Sequence, residues 1–273
     1  MGEKGSTKRA SMIGDSFRAM MASWAKMLPY LVGFGVFSAI LTYCQGYVFS
    51  ENSLLAQVKD NPDLLKQDPK LLDQVLAEWE KVMLPFLLYY IVSWLGYLVA
   101  WYVFTVQFLR TLTTKAPACS VGGFFQWLGP MIWKYIRPIL WIFLPIIGIL
   151  FYTRSVVRYT LVSPLVILGR TPSLKKSWDL TQGNWWRIFL SQMVLGLGVT
   201  LAIFAFFFIP ALVLSITTHG DTRSPVYLVV DSAVSGIAAS LIIWTGAVFS
   251  CIAYRVLLQE RRPVAPAPQV NPS

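Results

Sequence analysis

The sequence predicts an all-α, polytopic membrane protein: a transmembrane helical bundle of about six spans with interfacial amphipathic helices. Three observations lead there. Of 273 residues, 56 % are hydrophobic and only 13 % are charged, against roughly 25 % charged in ordinary soluble domains. Several uncharged runs reach about 20 residues, enough to cross a hydrocarbon core of roughly 30 Å. The 23 Lys and Arg, against 13 Asp and Glu, collect in alternate loops, the bias of cytoplasmic loops in membrane proteins. The formal charge of +10 therefore reads as topology. With no soluble basic domain to carry it, nucleic-acid binding is not expected.

Residues 1–27 form a cytoplasmic segment. Ser16 to Met27 can make an amphipathic helix with Phe17, Met20, Met21 and Trp24 on one face, the geometry of an interfacial helix. The start, Met1-Gly2-Glu3-Lys4-Gly5-Ser6, matches the loose N-myristoylation pattern, but a spanning protein needs no acyl anchor. The first apolar run begins too far in, and is too long, for a cleavable signal peptide. Leu41-Thr42-Tyr43-Cys44 resembles a lipoprotein box, and the bulk of Tyr43 excludes it. The transmembrane domain covers 28–258, with a first span over about 28–49.

An outer helical loop follows at 50–81. Asn61-Pro62-Asp63-Leu64-Leu65 and Asp68-Pro69-Lys70-Leu71-Leu72 repeat one pattern, an Asn or Asp cap with Pro in the first helical turn. Leu72, Val75, Leu76 and Trp79 then keep helical spacing into a second span at 82–109. Val121 to Leu128 reads as an interfacial helix or the head of the next span.

The segment 129–169 is long enough for two crossings. It predicts a tight hairpin, 129–150 up and 152–169 down, turning near Leu150 and Phe151. A re-entrant loop is the alternative. Either keeps Arg170, Lys175 and Lys176 inside, as the positive-inside bias requires. Thr171-Pro172 then opens a short helix with Leu174, Trp178 and Thr181 on its inner face. Gly183 suits its C′ position and Asn184 the cap of the next helix. Spans at 187–216 and 225–258 follow, then a disordered cytoplasmic tail at 259–273. This topology places sixteen Lys and Arg inside and five outside, with Arg154 and Arg158 in the membrane. It predicts a multi-pass protein of the bacterial inner membrane with both termini cytoplasmic.

Ser173 to Arg187, S-L-K-K-S-W-D-L-T-Q-G-N-W-W-R, resembles the signature of a family of bacterial polytopic membrane domains. The family includes the YciC-like inner-membrane proteins and the membrane domain attached to some glycerophosphoryl diester phosphodiesterases. Leu174, Lys175, Lys176, Ser177, Trp178, Leu180, Thr181, Gly183, Trp186 and Arg187 carry the likeness, and Ser173 departs from the more usual Ala. The resemblance implies about six spans. The phosphodiesterase activity of fused members sits in a separate soluble domain and is not carried over.

Three groups of residues are candidates for function. Arg170, Thr171, Lys175, Lys176 and Arg187 suit an anionic lipid headgroup, each basic residue contributing about 1 kcal/mol near the inner leaflet. A phosphate at the helix N-terminus near Thr171 is the sharp version; a topology anchor is the plain one. Arg154, Arg158 and Asp231 could form an intramembrane ion pair, offsetting the roughly 2.5–3.5 kcal/mol cost of a charge at the bilayer centre; snorkelling or a transport path are the alternatives. Ser232, Gly236 and Ser240, at four-residue spacing, suit close helix packing, with Gly196 and Thr200 as a candidate partner surface.

Catalysis finds no constellation. The single His219 lies in an outer loop beside Asp221, and there is no HExxH, GxSxG or phosphate-binding glycine loop. Cys44, Cys119 and Cys251 are far apart, which argues against a disulfide framework or zinc site. No enzyme, metal or cofactor is expected. The expected role is membrane organisation or lipid-envelope maintenance, with membrane lipids as partners and a membrane-protein partner or a second copy as further candidates; a transporter or transport accessory is the alternative.

Overall fold

The computed structural model describes residues 11–51, 69–139, 147–171, 173–217 and 224–261. These form eight helices and no strand: α1 (Met12–Glu51), α2 (Pro69–Leu112), α3 (Val121–Ile139), α4 (Ile147–Arg158), α5 (Val162–Ile167), α6 (Ser173–Thr181), α7 (Trp185–Thr217) and α8 (Pro225–Glu260). Four of them, α1, α2, α7 and α8, are long and apolar enough to cross a membrane. In lipid the helix is the natural outcome for such runs, because it satisfies every backbone N–H and C=O internally.

The amphipathic segment and the first span, expected as separate helices, are one. α1 has 40 residues, about 60 Å at 1.5 Å per residue, with Ser11 Oγ accepting the Gly14 N–H at 3.2 Å as its N-cap. α2 likewise joins the expected outer helix to the second span over 44 residues. The Asp68–Pro69 start falls where predicted, at Pro69; the first repeat, 61–65, lies outside the described residues, as do His219 and Asp221.

The expected hairpin in 129–169 is corrected in its form. Leu150 and Phe151 are not a turn; both lie inside α4. The chain breaks instead after Arg158 and restarts as α5, with Pro164 in the first turn of the new helix, where its missing N–H deprives no carbonyl of a partner.

The helices sort into two compact units. Unit one holds residues 1–24, 105–195 and 246–273, so it contains all of α3 to α6 together with one end of each long helix. α3 packs against α4, α5 and α6, and α6 also meets α4 and α5. Its core contains Trp127, wholly buried, whose Nε1–H donates to Ser163 Oγ at 2.9 Å; Ser163 Oγ in turn donates to Thr105 Oγ1 at 3.2 Å.

Unit two holds 25–104 and 196–245, the remaining lengths of the four long helices. There α1 meets α8 at glycine: a Cβ on Gly35 would stand 3.5 Å from the Gly236 carbonyl oxygen. Ser232 and Ser240 are buried on the same stripe of α8. The predicted small-residue packing is therefore present, but its partner is α1. Gly196, offered as partner surface with Thr200, has open space where a side chain would stand. On α7 large apolar side chains such as Phe204, Phe206 and Ile209 are exposed, as suits a helix surrounded by hydrocarbon.

Candidate functional site

The site is built around α6 in unit one. Ahead of it, α5 ends in a Schellman motif. Gly169 takes φ +66°; its N–H donates to Val166 O at 2.9 Å, and the Arg170 N–H reaches back to Leu165 O at 2.8 Å. That 6→1 bond turns the chain over itself and brings Arg170 beside Leu165. α6 starts at Ser173, one residue after the predicted first helical residue, Pro172, which lies outside the described residues. Its far end matches the expectation at Gly183, which takes φ +82°.

The inner face of α6 differs from the prediction. Ser173, Ser177 and Thr181 are buried, whereas Leu174 and Trp178 are only half-buried. Small side chains let α6 come close: Ser177 Oγ donates to Arg158 O, at the end of α4, at 2.6 Å. Leucine at position 177 would hold the helices apart.

The opposite face of α6 and the last turn of α8 enclose an open cleft of about 370 Å³. Leu165, Arg170, Lys176, Asp179, Leu180, Tyr254, Leu258 and Arg261 line it. Two of the expected headgroup residues, Arg170 and Lys176, thus share one cleft. Thr171 contributes its carbonyl oxygen, which accepts from Lys176 Nζ. Lys175 points away and is exposed. Arg187 is engaged elsewhere, with its Nη1 2.7 Å from Glu260 Oε1.

Arg261, read from sequence as tail, completes the cleft and donates to Asp179 O. The signal was present: Tyr254, Leu258 and Arg261 fall at i, i+4 and i+7, one face of a helix continuing past its assigned end. No family model, characterised protein or solved structure matches the chain. The cleft's chemistry therefore has to be read from its own residues: three cations, one carboxylate, and a wall of leucine and tyrosine.

Two aromatic groups belong to the same unit. Trp185 and Trp186 stack with ring centroids 4.0 Å apart, and Trp186 is exposed, as at a headgroup layer. Trp178 covers Arg158, whose guanidinium carbon lies 4.0 Å from the ring centroid, a cation–π contact. Arg158 is buried, and among the described residues its Nε has no hydrogen-bond partner. Arg154, a turn earlier, is exposed.

Ion pairs among the described residues include Arg18–Asp15 and Arg187–Glu260; the expected pairing of Arg154 or Arg158 with Asp231 would join the two units. Arg154 and Arg158 belong to unit one and Asp231, exposed, to unit two. Arg158 has its positive charge placed against an indole face. No group of three or more His, Cys, Asp or Glu able to hold a metal occurs among the described residues.

Proposed function

We propose that this is a non-enzymatic integral protein of the bacterial inner membrane that organises anionic lipid at the cytoplasmic face, in the service of membrane or envelope maintenance. The observation that carries the reading is the division of charge. Among the described residues, unit one has thirteen Lys and Arg against three Asp and Glu, formally +10; unit two has three against five, formally −2. The positive-inside bias assigns unit one to the cytoplasmic leaflet, where anionic lipid is attracted to clustered basic residues.

Residues 121–181 enter and leave within unit one. That favours the re-entrant form of 129–169 over two further crossings, with four spans in all. The resemblance to YciC-like membrane domains fits this reading, resting on the motif from Leu174 to Arg187. A transport path through Arg158 is disfavoured, since Trp178 covers that side chain.

The test is the lipid composition around the protein. Extracted in native polymer discs, the protein should carry anionic phospholipid enriched at least about threefold over the bulk membrane. A disc composition equal to the bulk overturns the proposal.

A further inference from the structure

The cleft beside α6 has a charge surplus that names its ligand. Arg170, Lys176 and Arg261 face one space with a single carboxylate, Asp179. None of the three has an ion-pair partner among the described residues. Lys176 and Arg261 are instead held by backbone oxygens, those of Thr171 and Asp179. Carbonyl dipoles fix the direction of these cations without neutralising them. Three like charges around about 370 Å³ repel one another, and an anion entering between them relieves that repulsion.

The surplus is two, three cations less one carboxylate. A zwitterionic headgroup would leave it uncompensated, and a single phosphodiester would cancel half. Asp179 adds a second requirement. An ionised carboxylate can only accept hydrogen bonds, so a ligand seated beside it gains by presenting a hydroxyl. Leu180 and Leu258 add a third, because apolar lining beside a cluster of cations suits the first methylenes of an acyl chain.

Resting on the proposed function, we propose that this cleft binds a glycerol-bridged bisphosphate lipid, the cardiolipin headgroup. Its two phosphodiesters carry the matching charge of two. Its bridging glycerol carries one free hydroxyl, which donates to Asp179. Its glyceride ends lie along Leu180 and Leu258. The guanidinium of Arg261 offers paired N–H donors to one phosphate, while Arg170 and Lys176 take the other.

The experiment is native mass spectrometry of delipidated protein titrated with defined lipids: tetraoleoyl cardiolipin, its analogue lacking the bridging hydroxyl, dioleoyl phosphatidylglycerol and dioleoyl phosphatidate. Cardiolipin should bind at least about tenfold tighter than phosphatidylglycerol, and Lys176→Gln and Arg261→Gln should each reduce that preference about fivefold or more. Lys175→Gln, outside the cleft, and Arg187→Gln, paired with Glu260, should leave it intact. Asp179→Asn should raise affinity for every anionic lipid yet abolish discrimination between cardiolipin and its deoxy analogue. A merely structural role for Asp179 would lower all affinities together. Circular dichroism and an unchanged Tm establish that each variant is folded. Equal affinity for cardiolipin and phosphatidylglycerol, or an unaltered preference in Arg261→Gln, overturns the proposal. So does equal competition by water-soluble glycerol 1,3-bisphosphate, which would make the cleft a site for a free phosphate ester. General anionic enrichment in native discs that survives Arg261→Gln would reject this cleft while leaving the proposed function standing.

Discussion

Adding one methyl group at Gly236 should force α1 and α8 apart. The new Cβ would stand inside the contact radius of the Gly35 carbonyl oxygen and 3.0 Å from both the Cβ and the backbone nitrogen of Ala39. Two of those three obstacles are backbone atoms and the third is a Cβ, so no rotamer change relieves the clash. Overpacking of a tight site costs roughly 1–3 kcal/mol, and replacing Gly by Ala in a helix returns up to about 1 kcal/mol. The expected net loss for Gly236→Ala is about 1–2 kcal/mol, from the upper part of the overpacking range. At roughly 2–4 °C per kcal/mol that is a clear fall in Tm.

The same change at Gly35 meets only ordinary contacts, 3.5 Å to Gly236 O and 3.7 Å to Ser240 Oγ. Gly35→Ala should therefore match wild type or gain slightly, although it looks into the same crossing. Gly196→Ala and Gly198→Ala, with nothing within 4 Å, should do the same. The assay is thermal unfolding in a fixed detergent, followed by tryptophan fluorescence. Wild-type stability in Gly236→Ala, or equal damage from Gly35→Ala, refutes the geometric reasoning.

Trp127→Phe removes the bond to Ser163 Oγ, with Ser163 still bonded to Thr105, so the loss should be about 1–3 kcal/mol from hydrogen bond and cavity together; adding Ser163→Ala should cost less than the sum of the two single losses, and strict additivity would show that the bond contributes nothing. A cysteine placed at Ile149, which is exposed on α4, should resist a membrane-impermeant maleimide in intact cells, while one at Leu65 should react; outside labelling at 149 would establish a crossing hairpin in 129–169 and reject the re-entrant form.

The sequence by itself determined what local physics controls. Long uncharged runs became helices because no other open backbone form satisfies its own hydrogen bonds in lipid. Gly183 took positive φ and Pro69 opened a helix because glycine reaches that region without a Cβ clash and proline's fixed φ and missing N–H suit a first helical turn. The basic residues Arg170 and Lys176 came out in one site because one precedes and the other lies within the same short helix. What the tertiary structure alone decided were partners across long separations. That Gly236 rests on Gly35 and not near Gly196 depends on which helices are neighbours, and small-residue spacing is the same whichever neighbour it meets. Arg158 lies on Trp178, because charge alone cannot distinguish a carboxylate from an indole face. Arg261 reaches the cleft from the far end of the chain; its helical register was visible, but what stood opposite that register was not. Local periodicity states which face of a helix will be covered, and only packing states by what.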